Sequence, residues 1–173
     1  MTRAAAGIGP IVSSSHLAEG ASPALSEFEF GLILVSHAFQ RWMVRGMAAA
    51  GYPDLSPLDV LALHSVAHRG KAKRLADICL VLNVEDTHVV SYSLRKLAGL
   101  GLVHSAKRGK EAFFSVTDKG REICLAYRDV REACLMPGFT GSAEDNARIG
   151  ELAQLLRTLS GRYDQAARAA STS

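Results

Sequence analysis

The sequence predicts a mainly α-helical protein with one small β-hairpin, its middle ordered as helix, turn, helix and hairpin. Three observations predict it. Apolar residues recur at steps of three or four through several proline-free segments, which is the period of a helix with a covered face. Capping residues and Gly or Pro punctuation separate those segments. Two short β-like runs flank Arg108-Gly109-Lys110-Glu111, a glycine-containing turn of hairpin type.

The bulk numbers bound the rest. At 173 residues the chain fits one domain, or one domain with an extension that a second subunit covers. Its 48% apolar and 6% aromatic content can fill a core and excludes wholesale disorder. The richest apolar run, "FGLILVSHAF", is bounded by Glu29 and interrupted by His37. That is well short of the roughly 18 residues of a bilayer span, so no membrane partner is expected. The start, "MTRAAAGIGPIVSSSHLAEGASP", has its apolar stretch broken by Gly7, Gly9 and Pro10, which makes a poor leader, and residues 1–24 read as a flexible tail. Cys79, Cys124 and Cys134 form no C-x-x-C pair and are odd in number, so neither a disulfide framework nor a cysteine zinc site is indicated. Cytoplasmic localisation, small buried thiols and no cofactor are the expectation.

Element by element, Ser26 to Ala50 carries Phe28, Leu32, Val35, Phe39, Met43 and Met47 at helical spacing. Phe30, Ile33, Leu34 and Trp42 lie off that stripe. A helix apolar on more than one side needs more than one covering surface, which a partner subunit supplies most easily. Gly51 closes this helix. Ser56 caps the next, with Pro57 at the first helical position and Asp59 completing a capping-box pattern, and that helix runs to about His68. "RGKAK" turns the chain, and Leu75, Ile78, Cys79 and Leu82 mark a short third helix. Asp86 caps a fourth, from Thr87 to about Leu100, with Val90, Leu94 and Leu97 facing inward. Leu102 to Lys107 and Ala112 to Thr117 read as the strands of the hairpin. Thr117 caps a fifth helix bearing Ile123, Tyr127, Val130 and Cys134, which "LMPGFT" ends. Ser142 with Asp145 repeats the capping pattern for the last helix, whose stripe of Ile149, Leu152, Leu155, Leu156, Leu159 and Tyr163 also asks for a partner.

The charge is uneven. Between Arg69 and Arg121 eleven Lys and Arg face five Asp and Glu, whereas the rest of the chain holds nine basic and twelve acidic residues. A modest net charge of +3 therefore conceals a basic middle. Positive charge over short helices and a hairpin attracts a polyanion, because phosphate contacts release condensed counterions. The third and fourth helices have the order of a helix-turn-helix, whose second helix lies in the major groove. The exposed side of that helix carries Thr87, His88, Ser91, Tyr92 and Arg95. Arg95 suits guanine or phosphate, Thr87, His88 and Ser91 suit base edges, and Tyr92 suits a phosphate or a thymine methyl.

With those residues in view the sequence resembles the MarR (multiple-antibiotic-resistance regulator) family of winged-helix repressors, over roughly Ser26 to Ser160. The likeness is carried by "LSPLDVLALHSV", "KRLADICLVLNV", "EDTHVVSYSLRKLAGLGLV" and "FFSVTDKGREI", in that order. The resemblance implies a winged helix-turn-helix with N- and C-terminal dimerisation helices. Its expected parts are a dimerisation helix at 25–52, a DNA-binding domain at 53–120 and dimerisation helices at 121–170. It implies a homodimer that binds a pseudo-palindromic operator on double-stranded DNA and regulates transcription, in the repressing direction. Lys107, Arg108 and Lys110 would then sit on the wing, with Arg108 and Lys110 at its tip over the minor groove or its phosphates. A small-molecule effector is a further candidate partner, since many relatives bind small aromatic acids. The family's frequent Asp-x-Arg motif in the hairpin is replaced here by "AKRGKEAFF".

Other classes fit less well. His64 and His68 have chelating spacing, but no acidic residue or cysteine completes a site, so both read as capping or solvent-facing histidines and no metal is expected. No nucleophile elbow, Walker pattern or dinucleotide glycine pattern is present, and an enzyme is not expected. The alternative is a winged-helix protein–protein adaptor without specific DNA binding, for which Glu85 and Asp86 at the start of the fourth helix speak.

Overall fold

The structure is a computed structural model that describes residues 9–139 and 141–172. In chain order its helices are α1 (Ser15–Ala18), α2 (Pro23–Ala49), α3 (Pro57–Ala67), α4 (Leu75–Leu82), α5 (Thr87–Gly99), α6 (Asp118–Cys134) and α7 (Ala143–Ala170). Its strands are β1 (Lys73–Arg74), β2 (Val103–Arg108) and β3 (Glu111–Val116), and one turn of 3-10 helix lies at His68–Gly70 and another at Met136–Gly138. The chain divides into two compact units, one ending at Tyr127 and one beginning at Arg128.

In the first unit the caps lie where the sequence places them. The Ser56 hydroxyl accepts from the Asp59 N–H (3.2 Å) while the Asp59 carboxylate accepts from the Ser56 N–H (2.8 Å), a complete capping box for α3. Asp86 accepts from the His88 N–H (2.8 Å) at the start of α5. Thr117 Oγ1 accepts from the Gly120 N–H (3.0 Å) at the start of α6. Gly120 itself is required, since a Cβ there would collide with the carbonyl oxygen of Leu102.

Three expectations change. α2 begins at Pro23, inside the span read as a tail, because Ser22 accepts from the Leu25 N–H (3.3 Å) and Pro23 pre-sets the first turn. Of that tail residues 1–8 lie outside the described residues, while Ser15–Ala18 form one helical turn that Ser26 Oγ pins by donating to the Leu17 carbonyl (2.5 Å). The stretch read only as a turn at "RGKAK" runs into β1, which begins at its last residue and pairs antiparallel with β3 through Lys73↔Phe114 and Arg74↔Phe113. The hairpin strands sit one residue nearer the tip than expected. Pairing extends to Arg108↔Glu111 and leaves a two-residue turn, Gly109-Lys110, with Gly109 at φ +64°. The sheet order is β1-β3-β2.

The core of this unit joins Met43 and Met47 of α2, Val60, Leu63 and Val66 of α3, Ile78 of α4, Val90, Leu94 and Leu97 of α5, Leu102, Phe114 and Tyr127. Only the C-terminal part of α2 enters it. Further back, Leu25, Ile33, Leu34, Val35 and Phe39 are exposed. In the second unit α7 is capped by Ser142, whose hydroxyl accepts from the Asp145 N–H (3.0 Å), and the helix contains no buried residue. No helix among the described residues is long and apolar enough to cross a membrane.

Candidate nucleic-acid interface

The five expected positions of α5 share one exposed side because the other side is committed to the core. Val90, Leu94 and Leu97 are fully buried. Thr87, His88, Tyr92 and Arg95 are exposed and Ser91 is half-buried. Tyr92, 68% exposed, presents an aromatic face that nothing in the fold needs. Arg95 Nε donates a long bond to the Ser91 carbonyl (3.4 Å), which keeps the guanidinium along the helix surface.

The helix is fastened from below by a residue that periodicity does not single out. Lys96 Nζ donates to Asp59 Oδ2 (2.8 Å) and to the Asp54 carbonyl (2.5 Å), tying α5 to the start of α3. Burial pushes the Asp59 carboxyl up, but hydrogen bonds led by those from Lys96 and the Ser56 N–H outweigh it and hold the group below the usual carboxylate range. The capping-box pattern is visible in sequence, and the second partner of its carboxylate is not, because it lies on a different helix.

Lys107, Arg108 and Lys110 are all exposed at the end of the hairpin, but they do not share a face. Side chains alternate along a strand, and directly paired residues share a side of the sheet. Arg108, Ala106, Glu111, Phe113 and Arg74 therefore lie on the outer face. Lys107 shares the other face with Ser105, whose cross-strand partner is the buried Phe114. The Arg108 guanidinium carbon stands 5.0 Å from the centre of the Phe113 ring. Its directly opposed residue, Glu111, pairs instead with Arg74 (3.7 Å), which also grips Asp77 at 2.9 Å. That bond to Asp77 raises the Arg74 pKa.

The basic middle is thus less available than its residue count implies. Lys73 Nζ donates to the carbonyls of Ser65 (2.5 Å), Val66 (3.1 Å) and His68 (2.6 Å), closing the end of α3. Lys96 and Arg74 are engaged as described, and Lys119 Nζ donates to the Leu100 carbonyl (3.0 Å) above the Tyr52 ring. Among the described residues Lys107 and Lys110 carry no ion pair, as do Arg69 and Lys71, which precede β1 at the hairpin's root end rather than its tip.

Two grooves border these elements. One, of about 420 Å³, lies between α2 and the start of α3 and is lined by His37, Gln40, Arg41, Val44, Arg45 and Pro57. A second, of about 490 Å³, runs between α3 and the exposed side of α5, with Leu58, Val89, Tyr92 and Arg95 among its lining. The histidine pair divides. His68 is the exposed C-cap of α3, whereas His64 is largely buried, its ring 4.9 Å from that of Tyr127 and its Nε2 without a hydrogen-bond partner. The expectation of two capping or solvent-facing histidines is corrected for His64, because position 64 falls on the face that α6 covers. Burial lowers its pKa. Cys79 is buried and Cys124 half-buried, the latter with its pKa pushed up to about 11 by burial, so neither is a ready thiolate. Cys134 is exposed.

Residues 55–120, the stretch containing α3 to β3, match the family of winged helix DNA-binding domains. Among curated proteins no sequence matches significantly. Many solved structures share the fold. A MarR-family transcriptional regulator from Rhodococcus sp. RHA1 aligns with TM-score 0.64 at 13% identity, over 79% of this chain and 94% of its own. CouR from Rhodococcus jostii RHA1, bound to p-coumaroyl-CoA, aligns with TM-score 0.64 at 13% identity, over 76% and 90%. Reduced AbfR bound to DNA aligns with TM-score 0.63 at 20% identity, over 84% and 95%. What the chain shares with them at these identities is the winged-helix fold of the MarR-type regulators.

Proposed function

We propose that this chain is a transcriptional repressor of the MarR type, cytoplasmic and homodimeric, that binds a pseudo-palindromic operator through two α5 helices and two hairpin wings. The observation that carries the reading is the single exposed side of α5, where Thr87, His88, Ser91, Tyr92 and Arg95 gather on a helix otherwise locked into the core. Hydroxyl, imidazole, phenol and guanidinium groups on the outward side of a second helix-turn-helix element supply base-edge and phosphate contacts. Arg108 and Lys110, at the hairpin end, add contacts to the minor groove or its phosphates, with Lys107 reaching from the other face. The DNA-bound state of AbfR, a fold neighbour, supports this use of the fold.

Residues 25–52 and 121–170 serve as the dimerisation helices in this reading. Their exposed apolar side chains, Leu34, Val35 and Phe39 on α2 and Ile149, Leu152 and Leu155 on α7, support it. A small anionic ligand would release the operator. The groove beside α2 supports that step, because Arg41 and Arg45 stand one turn apart in it and have no ion pair among the described residues. CouR, with p-coumaroyl-CoA bound, is a fold neighbour that takes an anionic ligand.

The test is selection of bound fragments from a random DNA pool at two salt concentrations. A palindromic motif with half-sites about one helical turn apart, recovered at both salts, is the expected result. Salt-abolished binding without a motif would overturn specific recognition and leave the winged helix as a protein-binding adaptor.

A further inference from the structure

On the outer face of the wing one arginine has been kept from its natural ion pair. Arg108 and Glu111 are direct cross-strand partners, and opposite charges at such positions ordinarily pair. Here Glu111 turns to Arg74, while the Arg108 guanidinium lies over the Phe113 ring at 5.0 Å. Phe113 is opposed in register by Arg74 on one side and Ala106 on the other, with Arg108 diagonal to it. Its ring is half-buried and points away from the core that Phe114 fills. The two contacts differ in what they leave for a ligand. A carboxylate would consume the N–H donors of the guanidinium and cancel its charge, whereas an aromatic face holds the planar cation and leaves the donors at its edge open.

We infer that Phe113 is a positioning residue for DNA binding, holding Arg108 off Glu111 so that an uncompensated guanidinium with free donors stands ready for phosphate. The inference rests on the proposed role of the wing and adds a residue that itself touches no DNA. Within this hairpin, "AKRGKEAFF", which carries no Asp-x-Arg, the wing arginine takes its orientation from a ring.

The test measures binding to a mixed-sequence DNA duplex long enough for two half-sites, at low salt, with melting temperature recorded for every variant. Phe113→Leu should weaken binding by roughly two- to five-fold, the size of an exposed cation–π contact, and Phe113→Tyr should restore it. In an Arg108→Ala background Phe113→Leu should have no further effect. An equal loss in both backgrounds would overturn the inference, as would a Tyr variant that binds no better than the Leu variant. Arg108→Ala that binds like the parent would overturn the wing's role together with this inference, which separates that failure from the previous two. Should Phe113→Leu fail to fold, Phe113→Met, which also removes the ring, supplies the same test in the same two backgrounds with the same outcomes.

Discussion

Lys96 of α5 and Asp59 at the start of α3 form the ion pair that fixes how α5 is presented, 2.8 Å apart, with the carboxylate 4% and the lysine 33% exposed. Removing one partner of such a pair strands the other, and the cost for a fully buried pair is several kcal/mol. With Lys96 one-third exposed, Lys96→Met should lower unfolding stability by about 1–3 kcal/mol in urea titrations. Asp59→Asn/Lys96→Met should lose less than the two single changes added together. Because the Asp59 pKa is depressed from 3.8, its contribution is present above that pH and is lost as the pH falls through the lower folded value. A Lys96→Met protein with the parent's urea midpoint would sink this account.

His64 gives a second pH dependence, in the neutral range. Burial against Tyr127 lowers its pKa from 6.5, so the unfolded chain takes up the proton more readily than the folded one. Stability from this site is complete above pH 6.5 and is lost as the pH falls below it. Melting temperature should therefore fall between about pH 7.5 and about pH 5.5, and the fall should be shallower in His64→Leu. Parallel curves for the two proteins would contradict the assignment.

Gly120→Ala should be among the most damaging single-methyl changes in the chain. The added Cβ would meet the backbone carbonyl of Leu102, which belongs to the strand root and cannot rotate aside as a side chain can. Gly46 is a softer case, since its nearest obstacle is the Tyr127 ring at 2.9 Å. A loss of roughly 2 kcal/mol or more is expected for Gly120→Ala, read from denaturant unfolding, with a smaller loss for Gly46→Ala.

The sequence makes legible what is local. The capping box at Ser56, the cap at Asp86, the inward row Val90, Leu94 and Leu97 and the hairpin turn each follow from a few neighbouring residues. β1 is invisible at that level, because two residues carry no period and their pairing with Phe113 and Phe114 is long-range. For the same reason the basic middle is misread. Lys73 and Lys96 count as surface charge in composition, yet one closes the end of α3 and the other anchors α5. The candidate residues on α5 are found from periodicity alone, but Phe113, two positions from Glu111, gains meaning only once strand register brings it beneath Arg108.

The apolar surfaces of α2 and α7 lead to the last prediction. Phe39 is 52% exposed and Leu152 50%, and α7 runs for 28 residues without burying one of them. Most of a helix's stability in water comes from packing an apolar face, so a stripe of this length left to solvent is costly. In the proposed dimer, association of two copies through these helices covers it, and the second copy supplies the reader for the second half-site of the proposed operator. Light scattering should give twice the 18.5 kDa chain mass for the parent at micromolar concentration. Phe39→Glu and Leu152→Glu should each shift it toward the single-chain mass, since a carboxylate placed in an apolar interface must be desolvated without a partner. The monomeric variants should keep the far-UV helical signal of the DNA-binding unit and lose high-affinity binding to a two-half-site duplex. A parent that is monomeric, or a Glu variant that remains dimeric with unchanged DNA binding, would remove these helices from the interface.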